Sequence, residues 1–280
     1  MNKTLFSLTV LLLALAALSN SCTKENKVKE TVAMGESVSF TSMKTSDTTS
    51  FKRSNGDVCQ ELVDVSATYP KYFKDEATTL KLQKIYINTV LEGNDSLAID
   101  EAIKQYSNEI LSQNSIDSNY NSDYNEEENF GNVADKFYFA VNITVAYHQN
   151  DVVTFCKEET FKKNNIASKT HKYYNIDLKN MAVIDLSMFK DDALDDVCRL
   201  LKNKLMEQNK VKTSDELNEL GYFNIDNLTV TPNFCFDENG ITWSFLPQEL
   251  AADANLEPKI TLNYGALSPF ASDKSVLKRF

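Results

Sequence analysis

Between Phe137 and His148 the chain alternates without a break. Phe137, Phe139, Val141, Ile143, Val145 and Tyr147 occupy one side of a two-residue repeat, and Tyr138, Ala140, Asn142, Thr144, Ala146 and His148 the other. Successive side chains of a strand point to opposite faces, so this stretch predicts one long strand with a single buried face. A chain that contains it must build a sheet covered on that side. "HQND" then predicts a turn, and residues 152–162 the antiparallel return. Residues 169–178 and 182–186 read as another pair around "KNM". Residues 234–245 read as a hairpin around "ENG", where Asn239 and Gly240 are expected to supply positive φ angles. A first strand is expected at 57–70, closed by a turn at Pro70, and a last one at 259–263.

Helical spacing appears between these strands. Residues 75–91 carry Leu80, Leu82, Ile85, Val90 and Leu91, with Gly93 as a stop. Asp95 or Ser96 is the expected cap of a second helix, whose Ile99, Ile103, Tyr106 and Ile110 recur at spacings that align one apolar stripe. Asp191 and Asp192 are expected to open a third, with Leu194, Val197, Cys198, Leu201 and Leu205 on its buried side and the two acids against the amino end of its dipole. A short helix at 214–220 should stop at Gly221. Helices gathered around antiparallel hairpins give an α+β plan: antiparallel sheets with packed helices, in two modules.

Two stretches lack such patterning. Residues 23–50 are rich in Thr, Ser, Lys and Glu with few large apolar side chains, a composition that does not repay the entropy of ordering, and are expected to be a tether. Residues 113–132, "QNSIDSNYNSDYNEEENFGN", are expected to be a long solvated loop, available for contact.

The amino end sets the expected address. Lys3 precedes an apolar run from Leu5 to Leu18 broken only by Ser7 and Thr9, the pattern of an export signal. The run is shorter than the roughly 20 apolar residues that cross a bilayer, and no later stretch is apolar enough to do so. Ser19, Asn20 and Ser21 before Cys22 resemble a bacterial lipoprotein cleavage box, with Leu18 four residues ahead of the cysteine where the box has it three ahead. Acylation of Cys22 would then hold the protein at a membrane surface. The alternative is an ordinary signal peptide cut near Ser21. Thr23, where an inner-membrane protein would have Asp, resembles the sorting signal for an outer membrane lipoprotein, on its periplasmic or surface face. The expected division is signal peptide 1–21, tether 22–50, and modules 51–165 and 166–280.

The chain has a net charge of −11, and loss of Lys3 with the leader leaves −12. Such a field repels nucleic acid and anionic lipid and favours basic partners. Cys59, Cys156, Cys198 and Cys235 remain besides Cys22. An oxidising compartment permits disulfides among them, and buried thiols are the alternative. No two have CxxC spacing, so neither zinc nor any other metal or cofactor is expected.

Three stretches resemble a known family. "GITWSFLPQELAADANLEPKITLNYGALSPF" (240–270) looks like the closing segment of the RsiV-type extracytoplasmic domain of lysozyme-sensing anti-sigma factors, and "YYNIDLKNMAVIDLSMFKDDALDDVCRLL" (173–201) like its central strand pair and following helix. "YPKYFKDEATTLKLQKIYINTVLEG" with the strand from Phe137 is similar to the module at the amino terminus of the deacetylase PdaC. The pattern departs from the family in two places. "NNIASKT" has Ser168 where a histidine is usual, and the turn at 247–253 lacks both family tyrosines, keeping Pro247, Glu249 and Ala251. The resemblance implies an extracytoplasmic α+β domain that recognises a protein, lysozyme in the anti-sigma factor. With no spanning helix in the sequence, direct sigma-factor control is not expected, whereas capture at the surface is.

No catalytic set is expected. The only histidines, His148 and His171, fall in a hairpin end and on a strand, and no GxSxG, HExxH or P-loop spacing occurs. Trp243 shares a strand face with Ile241 and Phe245 and is expected in the core. The expected function is ligand binding by an envelope lipoprotein. The expected ligand is lysozyme or another basic protein, held by Asp123, Glu126, Glu127 and Glu128 of the acidic loop and by Glu249 and Asp253 of the turn. The alternative is peptidoglycan or polysaccharide held through Asn119, Tyr120 and Tyr124, and less so a hydrolase.

Overall fold

The computed structural model describes residues 38–52, 58–120, 136–163, 166–253 and 256–280. Cys22, Asp123, Tyr124, Glu126, Glu127 and Glu128 lie outside the described residues. Strands β1 (Ser39–Lys52), β2 (Val58–Tyr72), β3 (Lys136–Gln149), β4 (Val152–Lys163), β5 (Ile166–Asp177) and β6 (Ala182–Ile184) form one six-stranded sheet in sequence order. Helices α1 (Glu76–Thr89) and α2 (Ile99–Tyr120) come between β2 and β3. After the sheet come α3 (Leu194–Asn209), α4 (Ser214–Glu219), a three-stranded sheet of β7 (Phe234–Phe236), β8 (Gly240–Ser244) and β9 (Lys259–Asn263), and α5 (Tyr264–Leu267). Val38–Phe280 form one compact unit, and β5 and β6, from beyond residue 165, complete the first sheet.

The alternation at 137–148 forms β3, with Val141, Ile143 and Tyr147 buried. Its turn puts Asn150 and Asp151 at φ 53° and 58°, the left-handed pair that a two-residue hairpin needs. The β2–β3 pair, by contrast, is parallel. Parallel neighbours need a long crossover, and α1 and α2 supply it. They cover one face of the sheet: Leu82, Tyr86 and Ile87 of α1 and Ile103 and Ile110 of α2 meet Val63, Val65, Ala67, Val141, Ile143 and Phe155. Each such side chain taken from water contributes roughly 1.5–3 kcal/mol. Leu80, expected in this core, is exposed, because Tyr86 and Ile87 complete the buried stripe of α1 instead.

Residues 39–50, expected as tether, are strand. β1 pairs along its whole length with β2, and its side chains alternate between covered and exposed from Ser42 to Ser50. Threonine suits a pleated, half-covered strand, and the order comes from a neighbouring strand that local composition does not reveal. Asp47 is tied down by Ser107 of α2 and by Thr45, whose hydroxyls donate at 2.9 and 3.0 Å. The turn expected at Pro70 is also absent. β2 runs on to Tyr72, and a bulge between Ser39 and Phe40 absorbs the donor that proline lacks. The α2 backbone continues through Tyr120, so 113–120 of the expected loop are helical, and 121–132 lie outside the described residues.

A second core lies between α3 and the small sheet. Val197, Leu201 and Leu205 of α3 pack with Phe189, Phe234, Phe236 and Trp243. The fully buried Trp243 stacks on Phe189 at 6.4 Å, which removes it as a ligand platform. α3 begins at Leu194, so the acids in its first turn are Asp195 and Asp196 rather than Asp191 and Asp192. Thr213 closes a capping box with Glu216 on α4, and Gly221 follows at φ 89°. In the β7–β8 turn neither Asn239 nor Gly240 takes a positive φ. The Asp237 carboxylate instead accepts from both their backbone N–H groups, at 2.7 and 2.9 Å. Glycine is required at 240 because a Cβ there would lie 2.0 Å from the Leu262 carbonyl oxygen. No disulfide joins the four described cysteines.

Candidate ligand-binding groove

β6 pairs with β5 only at Asn175, Ile176 and Asp177, which leaves the edge of β5 before residue 175 without a strand neighbour. Side chains from the second sheet satisfy that edge. The Asn233 carbonyl accepts from the Tyr173 N–H at 2.8 Å, while its amide donates to the carbonyls of His171 and Ser244 at 2.9 Å each. Glu257 accepts from the His171 N–H at 2.8 Å and lies 2.6 Å from ring Nδ1. Asn175 donates to the Phe234 carbonyl at 2.7 Å and accepts from the Thr154 hydroxyl at 2.6 Å. A strand edge that would recruit another chain is thereby capped by amide and carboxylate groups.

This junction walls a groove of about 420 Å³, with β5 and β6 on one side and Thr231, Asn233, Leu246 and Glu249 on the other. Apolar surface dominates its interior, and Val183 is 45% exposed there. The charged lining residues are Lys172, Asp185 and Glu249. The N–H and hydroxyl of Ser187 donate to the Asp185 carboxylate and hold its pKa below the usual range. Gln248, at φ 63°, bends the chain so that the Glu249 carboxylate accepts from the Leu246 N–H at 2.8 Å. Glu249 also lines a second hollow of about 330 Å³ with Asn224, Phe245 and Leu250, so it stands on the ridge between two depressions.

Of the residues singled out in the sequence, Glu249 is therefore at a groove. Asp253 is exposed four residues on and lines neither depression. The reason is the anchoring of 250–252, where the Phe223 N–H donates to the Leu250 carbonyl and the Ala252 N–H to the Gly221 carbonyl, which carries the chain away from the groove. Asn119 and Tyr120 end α2. His148 is exposed, its ring edge-on to Phe40 at 5.6 Å. His171 has a carboxylate at each ring nitrogen, Glu257 at Nδ1 and Glu158 at 3.2 Å from Nε2. Among the described residues no cluster of three or more His, Cys, Asp or Glu side chains is placed to hold a metal ion, and no helix is long and apolar enough to cross a membrane. Asp185 and Asn233 were missed in the sequence. The only local sign of Asn233 is its place after Pro232, at the entry to a strand.

The segment that carries Glu249 is also the one with recognisable kin. Residues 187–265 match DUF3298, a family of proteins of unknown function. The match takes in α3, α4 and the small sheet and leaves out β1–β6. Among solved structures, the chain is similar to a DUF3298 member from Bacteroides fragilis, with a TM-score of 0.70 at 17% identity over 87% of this chain and 97% of that one. A DUF3298 protein from Pseudomonas aeruginosa gives a TM-score of 0.50 at 11% identity, over 87% of this chain and 98% of its own. At such identities the likeness is one of fold. At 87% of the chain it reaches well beyond 187–265. No curated protein matches the chain.

Proposed function

We propose that this chain is an envelope lipoprotein, anchored through an acylated Cys22, whose RsiV-like carboxy-terminal part binds a basic protein at the groove beside Glu249. It binds its partner without chemical conversion, and it is held at the outer membrane. The observation that carries the reading is the position of Glu249. A turn residue retained from the RsiV-type pattern stands between two depressions, facing Asp185 across an apolar groove, on a molecule of net charge −11. Acidic rims around an apolar interior suit a cationic, partly apolar surface loop, and the long-range field raises the rate of encounter.

Lysozyme is the first ligand to try. Calorimetric titration into the full chain at low salt should give binding that weakens as salt screens the charges. Glu249→Gln paired with Asp185→Asn should weaken it by about tenfold or more. No heat at low salt would overturn the lysozyme assignment, and unchanged affinity in the paired variant would move the site elsewhere. The address has its own check: intact mass of the membrane-extracted protein should show acyl chains on Cys22 and no residues 1–21.

A further inference from the structure

α1 and α2 cover one face of the six-stranded sheet; on the other face the small sheet meets the β5 end, and among the described residues no helix packs on that face over β1–β3. Strand register sorts that open face into rows. Lys44 pairs with Ser66, Ser66 with Asn142, Asn142 with Glu158 and Glu158 with His171, one polar row across five strands. The next row is Ser46, Asp64, Ala140, Thr160 and Lys169, and the third contains Leu62, Tyr138 and Lys162. The centre of the two longer rows is short: Ser46, Ser66 and Ala140 leave a hollow of about 500 Å³, rimmed by Lys44, Asp64, Tyr138 and Asn142. That volume is in the ordinary range of small-ligand sites, roughly 300–1,000 Å³.

The lining is specific in kind. Tyr138 is the one aromatic residue of the hollow, half-buried, and its hydroxyl is hydrogen-bonded to the Asp64 carboxylate. The Lys162 ammonium lies 5.4 Å from the centre of its ring. Around it stand a hydroxyl (Ser66), an amide (Asn142), a carboxylate (Asp64) and an ammonium (Lys44), each able to hydrogen-bond outward. A pyranose ring offers an apolar C–H face to stack on an aromatic ring, and hydroxyls that both donate and accept. The charge narrows the class further. Among the described residues no carboxylate lies within ion-pair distance of Lys44 or Lys162. Two lysines without an ion-pair partner flank a hollow that holds one carboxylate, Asp64, and this local excess of positive charge on a chain of net charge −11 points to a ligand that brings its own negative groups.

We propose that the open face of this sheet binds an anionic glycan, an oligosaccharide bearing carboxylates, with Tyr138 stacking on a sugar ring, Asp64, Ser66 and Asn142 bonding its hydroxyls, and Lys44 and Lys162 pairing its carboxylates. The site is separate from the groove at Glu249 and does not depend on the function assigned there.

The test is calorimetric titration of the full chain with hexagalacturonate, a carboxylated oligomer, and with cellohexaose, a neutral one. Hexagalacturonate should bind about tenfold or more tightly than cellohexaose, the worth of a charge-assisted hydrogen bond. Tyr138→Ala and Lys44→Gln should each weaken binding about tenfold. Ala140→Trp, which fills the hollow, should abolish it, and Tyr138→Phe, which keeps the ring, should retain most of it. Glu249→Gln should change nothing, so failure here is distinguishable from failure at the groove. Absence of binding by both oligomers would overturn the proposal. Equal binding of both would overturn the anionic class. Undiminished binding in well-folded Tyr138→Ala, Lys44→Gln and Ala140→Trp would overturn the site.

Discussion

Arg279 grips Asp177 in a two-pronged ion pair: guanidinium Nη1 donates to carboxylate Oδ1 at 2.8 Å, and Nη2 to Oδ2. Both side chains are largely buried, and Asp177 also accepts from the N–H groups of Lys179 and Asn180. The pair ties the end of β5 to the last residues of the chain, where Phe280 stacks on Tyr264 at 4.2 Å.

Burial alone would push the Asp177 carboxyl up, but Arg279 and the Asn180 donors outweigh it and hold the pKa below the usual range. A carboxyl whose pKa is depressed on folding contributes stability that is present above its unfolded value of about 3.9 and is lost as pH falls through the lower folded value. Arg279→Ala should therefore cost about 1–3 kcal/mol at neutral pH, since Asp177 keeps its other donors. The cost should shrink as pH drops below about 4. Urea unfolding at a series of pH values measures it. A cost that stays constant with pH would show that Arg279 acts through packing alone.

Gly240 tests a close approach of backbones. An added Cβ would sit 2.0 Å from the Leu262 carbonyl oxygen and 2.8 Å from Asn263 Cα, and neither atom belongs to a flexible side chain. Gly240→Ala should cost about 2–4 kcal/mol, by parting β8 from β9. Gly221→Ala meets nothing within 4 Å and bears only the strain of φ 89°, so it should cost about 1 kcal/mol. Chemical denaturation of the two variants should give that order.

How much of this was legible in the sequence depended on whether the cause lay in the segment itself. β3 was plain because its period and its apolar face coincide, and the α2 stripe from Ile99 to Ile110 was plain for the same reason. β1 was not, because a Ser/Thr strand looks like a tether until β2 pairs with it. The parallel register of β2 against β3 depends on a crossover that no local pattern announces. At the groove, Glu249 stood out because the turn that carries it resembles the RsiV-type pattern. Asn233 matters through partners on other elements, such as His171, 62 residues before it, and Asp185 through a groove that the distant 246–249 turn completes; a single sequence carries no trace of either.

Lys157 shows a buried charge in use. Its side chain is 2% exposed, and its ammonium donates to the Val90 carbonyl at 3.3 Å and to Glu92 at 3.2 Å. It also lies 5.6 and 5.2 Å from the rings of Tyr106 and Tyr174. Lys157→Ala leaves a carbonyl at the end of α1 unsatisfied and a void between two rings, and should cost about 3–5 kcal/mol. Lys157→Met keeps the volume and should recover part of that. Glu92→Ala removes an exposed carboxylate that also accepts from the Tyr174 hydroxyl, and leaves Glu159 3.8 Å from the ammonium, so it should cost under about 1 kcal/mol. Thermal unfolding of the three variants should rank them in this order. A loss in Glu92→Ala equal to that in Lys157→Ala would mean the ion pair, rather than the carbonyl and the rings, holds the lysine.

Asn233 joins fold and groove, since one amide stands in for the strand that β5 lacks. Asn233→Ala removes the acceptor for the Tyr173 N–H and the donors to His171 and Ser244 together. It should cost about 2–3 kcal/mol, mostly for carbonyls left unsatisfied at the seam between the two sheets. Asn233→Asp keeps an acceptor for Tyr173 while losing both donations, so the two halves of the contact can be told apart. Amide hydrogen exchange gives the residue-level reading. The Tyr173 amide should exchange much faster in Asn233→Ala and stay protected in Asn233→Asp, with both variants losing global stability. If the groove at Glu249 depends on this seam, ligand affinity should fall in both variants along with the loosening of β5. Full affinity in a variant with an unprotected Tyr173 amide would show that the ligand needs only the 246–249 turn.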